Sequence, residues 1–207
     1  MKKYILNNLL SYFFGFFLIF SPLAFAESVL DVAEEDFIVG SENAPITIIE
    51  YASLSCSHCA DFHINTLPEL IKEFVDTGKA RIVFRDFPFN YPALLGSMVL
   101  RCVPRDIRYE YSNALYHLQS KWVLRENAKT TQELYKIMQS GGMTKERFNE
   151  CIDNVDLENE ILNGLMAAQS EFNIKSTPSF LINGILIEGN KPIKDFRQII
   201  DKILSEQ

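Results

Sequence analysis

Cysteine and histidine are scarce in this sequence, which contains four cysteines and three histidines among 207 residues. A zinc ribbon or finger needs two closely spaced pairs of ligands. Only Cys56 and Cys59 form such a pair, and adding His63 would still leave the fourth ligand unexplained. Attachment of a c-type haem requires a histidine directly after the second cysteine, where Ala60 stands. The scarcity of ligands therefore argues against both a metal site and a haem site.

Positive charge is also in short supply. The chain has 27 aspartate and glutamate residues against 20 lysine and arginine residues. Proteins that bind nucleic acid present clusters of basic residues, so this balance predicts no nucleic-acid partner. Internal repeats and low-complexity tracts are lacking from the sequence, and its length suits one good core with at most a second, smaller subdomain.

The N-terminal 26 residues have a pattern of their own. Lys2 and Lys3 precede an apolar stretch at residues 9–20, and a small-residue motif of the A-x-A type ends at Ala26. These are the three regions of a secretory signal peptide, so we expect cleavage after Ala26 and an exported protein. The alternative is an uncleaved membrane anchor, because the apolar stretch is nearly long enough to span a bilayer.

The remaining chain alternates between strand and helix patterns. Residues 27–43 are acidic and are expected to be an irregular, exposed lead-in. Residues 46–53 predict a buried strand, and the helical pattern that follows it contains Pro68, which is expected to kink or break the helix. Further strands are predicted at 80–89, 178–182 and 185–189, and further helices at 92–102, 105–119, 131–140, 144–152, 157–172 and 194–204.

The order of these elements predicts an α/β protein with a helical insert. Two parallel strands joined by a crossover helix come first, and an antiparallel hairpin around Asn183-Gly184 with a final helix comes last. After the signal peptide at 1–26, we expect one discontinuous domain at 27–90 and 173–207. An all-helical insertion at 91–172 is expected to interrupt it.

The Cys56–Cys59 pair can be structural or redox-active. A disulfide that closes a four-residue loop removes little chain entropy, which makes a purely structural role a poor use of this spacing. Cys56 is expected at the start of a helix, where unpaired N–H groups and the helix dipole favour its thiolate. Cys59, one turn further, is close enough to resolve a mixed disulfide. The spacing therefore favours thiol–disulfide exchange.

Together, the motif CSHC after a buried strand, the helical insert and Thr177-Pro178 before the hairpin resemble the DsbA-like thiol:disulfide oxidoreductases of the thioredoxin superfamily. The resemblance covers roughly residues 37 to 205. It implies a thioredoxin fold with an inserted all-helical subdomain, in the bacterial periplasm. It also implies that the protein donates disulfides to reduced secreted polypeptides and is reoxidised by a DsbB-type membrane quinone reductase.

The resemblance also implies roles for single residues. Thr177-Pro178 matches the cis-proline dipeptide that faces the cysteine pair and presents a backbone edge to the substrate. His58 matches the histidine of the family motif C-P-H-C and is expected to stabilise the Cys56 thiolate. Ser57 stands where that motif has proline, which leaves the redox potential open.

Glu50 matches the buried acid of thioredoxin-like proteins and is expected to exchange a proton with Cys59; the alternative places it at the exposed end of its strand. Cys102 and Cys151 are expected to form a structural disulfide, and the alternative is a second redox relay. His63 is expected to be a surface or packing residue.

The resulting expectation is a periplasmic dithiol oxidase that is monomeric, needs no cofactor and is not inserted in the membrane after cleavage. One alternative is an isomerase or reductase of the DsbC or DsbG type, although the stretch before the fold is short for the dimerisation domain of those proteins. The other alternative is a non-catalytic chaperone that holds peptides at the Pro178 edge.

Overall fold

The computed structural model describes residues 31–33 and 36–206 of the chain. The predicted signal peptide, residues 1–26, lies outside the described residues. Among the helices that are described, none combines the length and the apolar character needed to cross a membrane.

A mixed sheet with the strand order β1-β3-β2-β4-β5 forms the frame of the molecule. β2 and β3 run parallel, whereas the β1–β3, β2–β4 and β4–β5 pairs are antiparallel. This topology, with helices on the sheet, confirms the predicted α/β class and thioredoxin fold. The strands are β1 Phe37–Val39, β2 Ile46–Ala52, β3 Ala80–Asp86, β4 Ser179–Ile182 and β5 Ile185–Glu188.

Helices follow the predicted pattern closely, with shifts of a few residues at their ends. Their bounds are α1 at residues 57–75, α2 Tyr91–Arg101, α3 Arg108–His117, α4 Gln119–Trp122, α5 Asn127–Ser140, α6 Lys145–Ile152, α7 Val155–Phe172 and α8 Ile193–Ser205. A short 3-10 turn, Arg105–Ile107, leads into α3, so the single helix predicted at 105–119 is three shorter pieces.

Helix α1 continues across Pro68 instead of breaking there. Two of its segments, Phe62–Thr66 and Ile71–Val75, have the wider π-helical turn, and they flank a short α-helical segment, Leu67–Leu70, that contains the proline. Insertion of such turns is a recognised way for a helix to absorb a local defect in its hydrogen bonding.

The expectation of an irregular lead-in at 27–43 is wrong in part, because β1 lies within it. Phe37 of β1 stands opposite Phe84 of β3, and their rings stack with centroids 5.2 Å apart. A three-residue strand is too short to show the alternation that identifies strands in a sequence. Its formation depends on the neighbouring strand and on the contact between the two rings.

Apolar side chains pack on both faces of the sheet and beneath the helical insert. One cluster packs α1 and α8 against one face, and a second packs α7 against the opposite face.

A third cluster contains Trp122, which is fully buried and donates a hydrogen bond from Nε1 to Leu115 O at 2.9 Å. It also contains Tyr116, with Tyr111 packed against it, and it reaches Cys59. The helices at 91–172 therefore pack against the cysteine pair; the domain boundaries themselves stay a prediction.

A disulfide joins Cys102, at the end of α2, to Cys151 in α6. It closes a loop with a sequence separation of 49 residues. In the chain-entropy account, a loop of this length stabilises the folded state by about 4 kcal/mol.

Replacing Cys102 and Cys151 together with alanine is therefore expected to lower the free energy of unfolding by about 4 kcal/mol. Denaturant unfolding of the variant and of the unmodified protein, both with the Cys56–Cys59 pair oxidised, measures this difference. A loss below about 1 kcal/mol would contradict the chain-entropy account of this bond.

Candidate active site

The cysteine pair lies where the chain passes from the central strand β2 into helix α1. Cys56 is the N-cap residue of the helix, in an extended conformation, and its own side chain makes no capping hydrogen bond. Its backbone N–H donates to Ser53 O at 3.0 Å, and its carbonyl accepts from the Ala60 N–H at 3.0 Å. The first N–H groups of the helix and the positive end of its dipole nevertheless lie beside the Cys56 sulfur and favour its thiolate.

The two sulfurs occupy unequal environments. Both are free thiols in the structure; Cys56 is half-buried, whereas Cys59 has an exposed fraction of 0%. Only Cys56 can therefore be reached by an incoming thiol, and Cys59 lies behind it within the apolar cluster of the helical insert.

The pKa of Cys56 falls from an ordinary value of 9.0 to about 5. The largest cause is a hydrogen bond from the Cys59 thiol, which outweighs the opposing effect of burial. Thr177 and the backbone N–H groups of Cys59 and His58 add to the lowering. The pKa of Cys59 moves the other way, because of burial first, then the hydrogen bond to Cys56, then the charge of Glu50. Cys56 is therefore the thiolate of the pair at neutral pH.

A second loop, carrying Thr177-Pro178, faces Cys56 from across the site. The peptide bond between these two residues is cis, and both side chains are buried. In the thiol form Cys56 Sγ donates to Thr177 O at 3.4 Å. Thr177 Oγ1 has no hydrogen-bond partner among the described residues, so its hydroxyl is available to donate to the sulfur once this is a thiolate.

Replacing Thr177 with valine, which keeps the shape but removes the hydroxyl, is expected to raise the pKa of Cys56. A hydrogen bond to a charged group is worth about 1.5–3 kcal/mol, so the rise should be roughly one to two pH units. Thiolate absorbance of the reduced variant against pH measures it, with Thr177→Ser as the matched control that keeps the hydroxyl. An unchanged titration in the valine variant would remove the hydroxyl from the list of causes.

Ser57 and His58, the two residues between the cysteines, are both exposed. His58 contributes to the lowered pKa of Cys56 through its backbone N–H. The role that the resemblance implies for its imidazole stays a prediction, as does any effect of Ser57 on the redox potential.

Glu50 lies in the middle of β2, between Phe84 of β3 and Phe180 of β4, and its exposed fraction is 0%. The alternative of an exposed strand end is therefore excluded. Its charge raises the pKa of Cys59, which places it on the side of the buried sulfur. Its predicted exchange of a proton with Cys59 stays a hypothesis.

His63 is a partner that the sequence analysis missed. It is buried, and its Nε2 lies 3.1 Å from Glu50 Oε1. Its ring also packs on Tyr116, with centroids 4.0 Å apart. Of the two expectations for His63, the packing role is confirmed and the surface position is wrong. A histidine one helical turn beyond the second cysteine, on the same buried face, is the signal that could have pointed to this contact.

Gln119, from the helical insert, is a second residue that sequence reasoning missed. Its Nε2 donates to Leu54 O at 2.9 Å and to Cys56 O at 3.0 Å. One side-chain amide thus holds the turn before α1 from both ends. Nothing in the sequence near Gln119 indicates this role.

No group of three or more histidine, cysteine, aspartate or glutamate side chains in the described ranges, 31–33 and 36–206, is arranged to hold a metal ion.

The chain is similar to known proteins. A family model described as thioredoxin matches residues 32–202. A Rickettsia bellii protein named "Putative protein-disulfide oxidoreductase" is 31% identical over 180 residues, which are 84% of this chain and 67% of that protein. A Rickettsia felis protein of the same name is 29% identical over 178 residues, and the chain spans 63% of its length.

Among solved structures, alpha-DsbA1 of Wolbachia pipientis is 29% identical and superposes with a TM-score of 0.80 over 86% of this chain and 95% of that one. The family-model match, residues 32–202, spans the sheet, the cysteine pair and the helical insert together. The chain therefore belongs to the thioredoxin family and, within it, to the DsbA-like proteins.

Proposed function

We propose that this protein is an exported thiol:disulfide oxidase that introduces disulfide bonds into secreted polypeptides through Cys56 and Cys59. The observation that carries the proposal is the inequality of the two sulfurs. A half-exposed thiolate with a pKa of about 5 stands in front of a buried thiol. Stabilising the Cys56 thiolate favours the reduced pair, which makes the disulfide form an oxidant.

The reaction has two exchange steps. A substrate thiolate attacks Cys56 Sγ of the oxidised pair, a substrate–Cys56 bond forms, and Cys59 leaves and takes up a proton. A second substrate thiolate then attacks the substrate sulfur of this mixed disulfide and releases the Cys56 thiolate. The substrate loses two electrons and gains a disulfide, and the enzyme pair gains those two electrons.

An exposed aromatic surface next to Cys56 supports a polypeptide as substrate. Phe89 and Tyr91 are 53% and 41% exposed. They flank Asn90, whose Oδ1 accepts a hydrogen bond at 3.0 Å from the hydroxyl of Ser55, the residue before Cys56. Unfolded chains expose apolar side chains that such a surface can bind, while the Thr177-Pro178 loop offers a backbone edge on the opposite side.

The location and the reoxidising partner follow from the same proposal. Reduction of the pair in each cycle requires an electron acceptor, and we assign this role to a DsbB-type membrane quinone reductase. The compartment is the periplasm, where disulfides persist. The helices at 91–172 serve as an insert that encloses Cys59, and the enzyme acts as a monomer without a cofactor.

The test is oxidation of a reduced, unfolded ribonuclease by the protein in its disulfide form. An oxidase converts substrate thiols to disulfides in proportion to the enzyme added. An isomerase of the DsbC or DsbG type would instead restore activity to scrambled, fully oxidised ribonuclease. A chaperone would suppress aggregation and leave the thiol count unchanged. Either of the last two results alone would overturn the proposal.

A further inference from the structure

Glu50 and His63 form a buried pair in which each partner has an unused polar atom. Their exposed fractions are 0% and 4%, and they face each other through Glu50 Oε1 and His63 Nε2. The other carboxylate oxygen, Oε2, and the other ring nitrogen, Nδ1, have no hydrogen-bond partner among the described residues. Buried polar atoms of this kind are costly, and a catalytic role or a bound water is among the usual reasons for them.

A small cavity of about 40 Å³ adjoins His63, the outer member of the pair. Its lining residues include His63, Tyr116 and Ser112, and it extends to Asp86 and Arg101. The side chains of Asp86 and Arg101 are 18% and 23% exposed, so this end approaches solvent. A site that holds one water needs roughly 10–15 Å³. The cavity therefore has room for a few water molecules between His63 and the surface.

The proposed reaction creates a need for such a path. Cys59 has to release a proton when it resolves a mixed disulfide and has to gain one when it leaves as a thiolate. Its sulfur is fully buried, and in the mixed disulfide Cys56 is bonded to the substrate and cannot accept the proton. Glu50, whose charge acts on Cys59, is the nearby base, and it is itself cut off from solvent.

We propose that His63 links Glu50 to the cavity and thereby carries the Cys59 proton to and from solvent. A proton moves from Glu50 Oε1 to His63 Nε2 while the Nδ1 proton leaves to water in the cavity. The resulting Glu50 carboxylate takes the proton of Cys59, which becomes the attacking thiolate. The sequence runs in reverse when Cys59 leaves. The inference rests on the proposed function, and it makes His63 a positioning residue that acts through Glu50.

The other two carboxylates near His63 are paired with arginines, so Glu50 is the carboxylate that interacts with the His63 ring. Asp86 is paired with Arg101 at 2.7 Å, and Asp36 is paired with Arg85 at 2.6 Å. The titratable or charged groups that surround the ring or line the cavity are Cys59 from α1, Glu50 from β2, Arg85 and Asp86 from β3, Arg101 from α2, Arg108 and Tyr116 from α3, and Asp36 before β1. An imidazole is suited to this position because one ring nitrogen can accept a proton while the other releases one.

The experiment separates the two sulfurs kinetically. The reduced protein is mixed with oxidised glutathione at several pH values between about 5 and 8. The first phase is attack by Cys56, which forms the glutathione mixed disulfide; the second is its resolution by Cys59. The test variant is His63→Gln, whose amide can keep the hydrogen bond to Glu50 but cannot relay a proton. The matched control is His117→Gln, at the exposed histidine that ends α3.

We expect His63→Gln to slow the second phase by roughly 100-fold or more, since a general acid–base contribution is typically about 10²- to 10⁴-fold. The first phase should stay unchanged, and the pH dependence of the second should flatten. Equal second-phase rates in His63→Gln and in the unmodified protein at every pH would overturn the inference and leave the proposed function standing. Failure of the unmodified protein to form any mixed disulfide would overturn both.

A measurement on the unmodified protein covers the case in which the variant does not fold. The second phase is followed in mixtures of light and heavy water. A relay through Glu50, His63 and water moves several protons together, which predicts a strongly curved dependence of the rate on the deuterium fraction. A dependence that is absent or strictly linear would overturn the relay.

Discussion

Replacing Cys59 with alanine is expected to trap the protein on its substrates, whereas replacing Cys56 with alanine is expected to abolish all exchange. In the first variant Cys56 still attacks, since its sulfur is half-exposed, but no second enzyme sulfur remains to resolve the mixed disulfide. In the second variant the remaining sulfur is fully buried and its pKa is raised. Turnover should fall to background in both variants.

Non-reducing electrophoresis of the two variants, expressed with their natural substrates present, measures the trapped species. The Cys102→Ala, Cys151→Ala double variant is the control, because its active-site pair is intact; it should retain turnover and trap nothing. Mixed disulfides that accumulate on the Cys56→Ala variant would reverse the assignment of the nucleophile.

The reduced protein is expected to be more stable than the oxidised one over a defined pH range. The folded-state pKa of Cys56 lies near 5, below its ordinary value of 9.0. A lowered pKa stabilises the folded, reduced protein fully above the ordinary value, and this contribution disappears as the pH falls towards 5. The difference in stability should therefore shrink from pH 9 down to pH 5, by at most about 1.4 kcal/mol per pH unit. Solvent around the half-exposed sulfur reduces this slope.

Urea unfolding of the oxidised and reduced forms across this range gives the difference directly, and thiolate absorbance gives the pKa independently. The Cys56→Ala variant serves as the reference. It lacks the titrating thiol, so its free energy of unfolding should not show this dependence on pH. A thiolate that titrates near 9.0, the ordinary value, would contradict the prediction. So would two forms of equal stability at neutral pH.

The parts of the site that could be predicted from the sequence are those encoded by neighbouring residues. The C-x-x-C spacing after an apolar, β-branched strand places Cys56 at a helix start, and Asn183-Gly184 marks the hairpin that follows the Thr177-Pro178 loop. The burial of Glu50 is expected from its match to the buried acid of thioredoxin-like proteins, and the structure places it in β2 between β3 and β4.

The parts that could not be predicted depend on contacts between distant residues. β1 exists because it pairs with β3, 47 positions further on at the Phe37–Phe84 contact. Gln119 reaches Cys56 across a separation of 63 residues, and a glutamine in a polar segment carries no local sign of its target. In the sequence, His63 has the position of an ordinary helical residue. Its contact with Glu50 forms only when helix α1 packs on the sheet.

The unequal exposure of the two sulfurs also predicts how the site reacts with peroxides. A half-exposed thiolate is the form of cysteine that peroxides attack first, giving a sulfenic acid. Cys59, one helical turn behind and shielded from the same oxidant, can attack that sulfenic acid and expel water. The product is the Cys56–Cys59 disulfide, which is the oxidising form in the proposed function. We therefore expect peroxide attack at Cys56 to yield this disulfide and not the irreversible sulfinic acid.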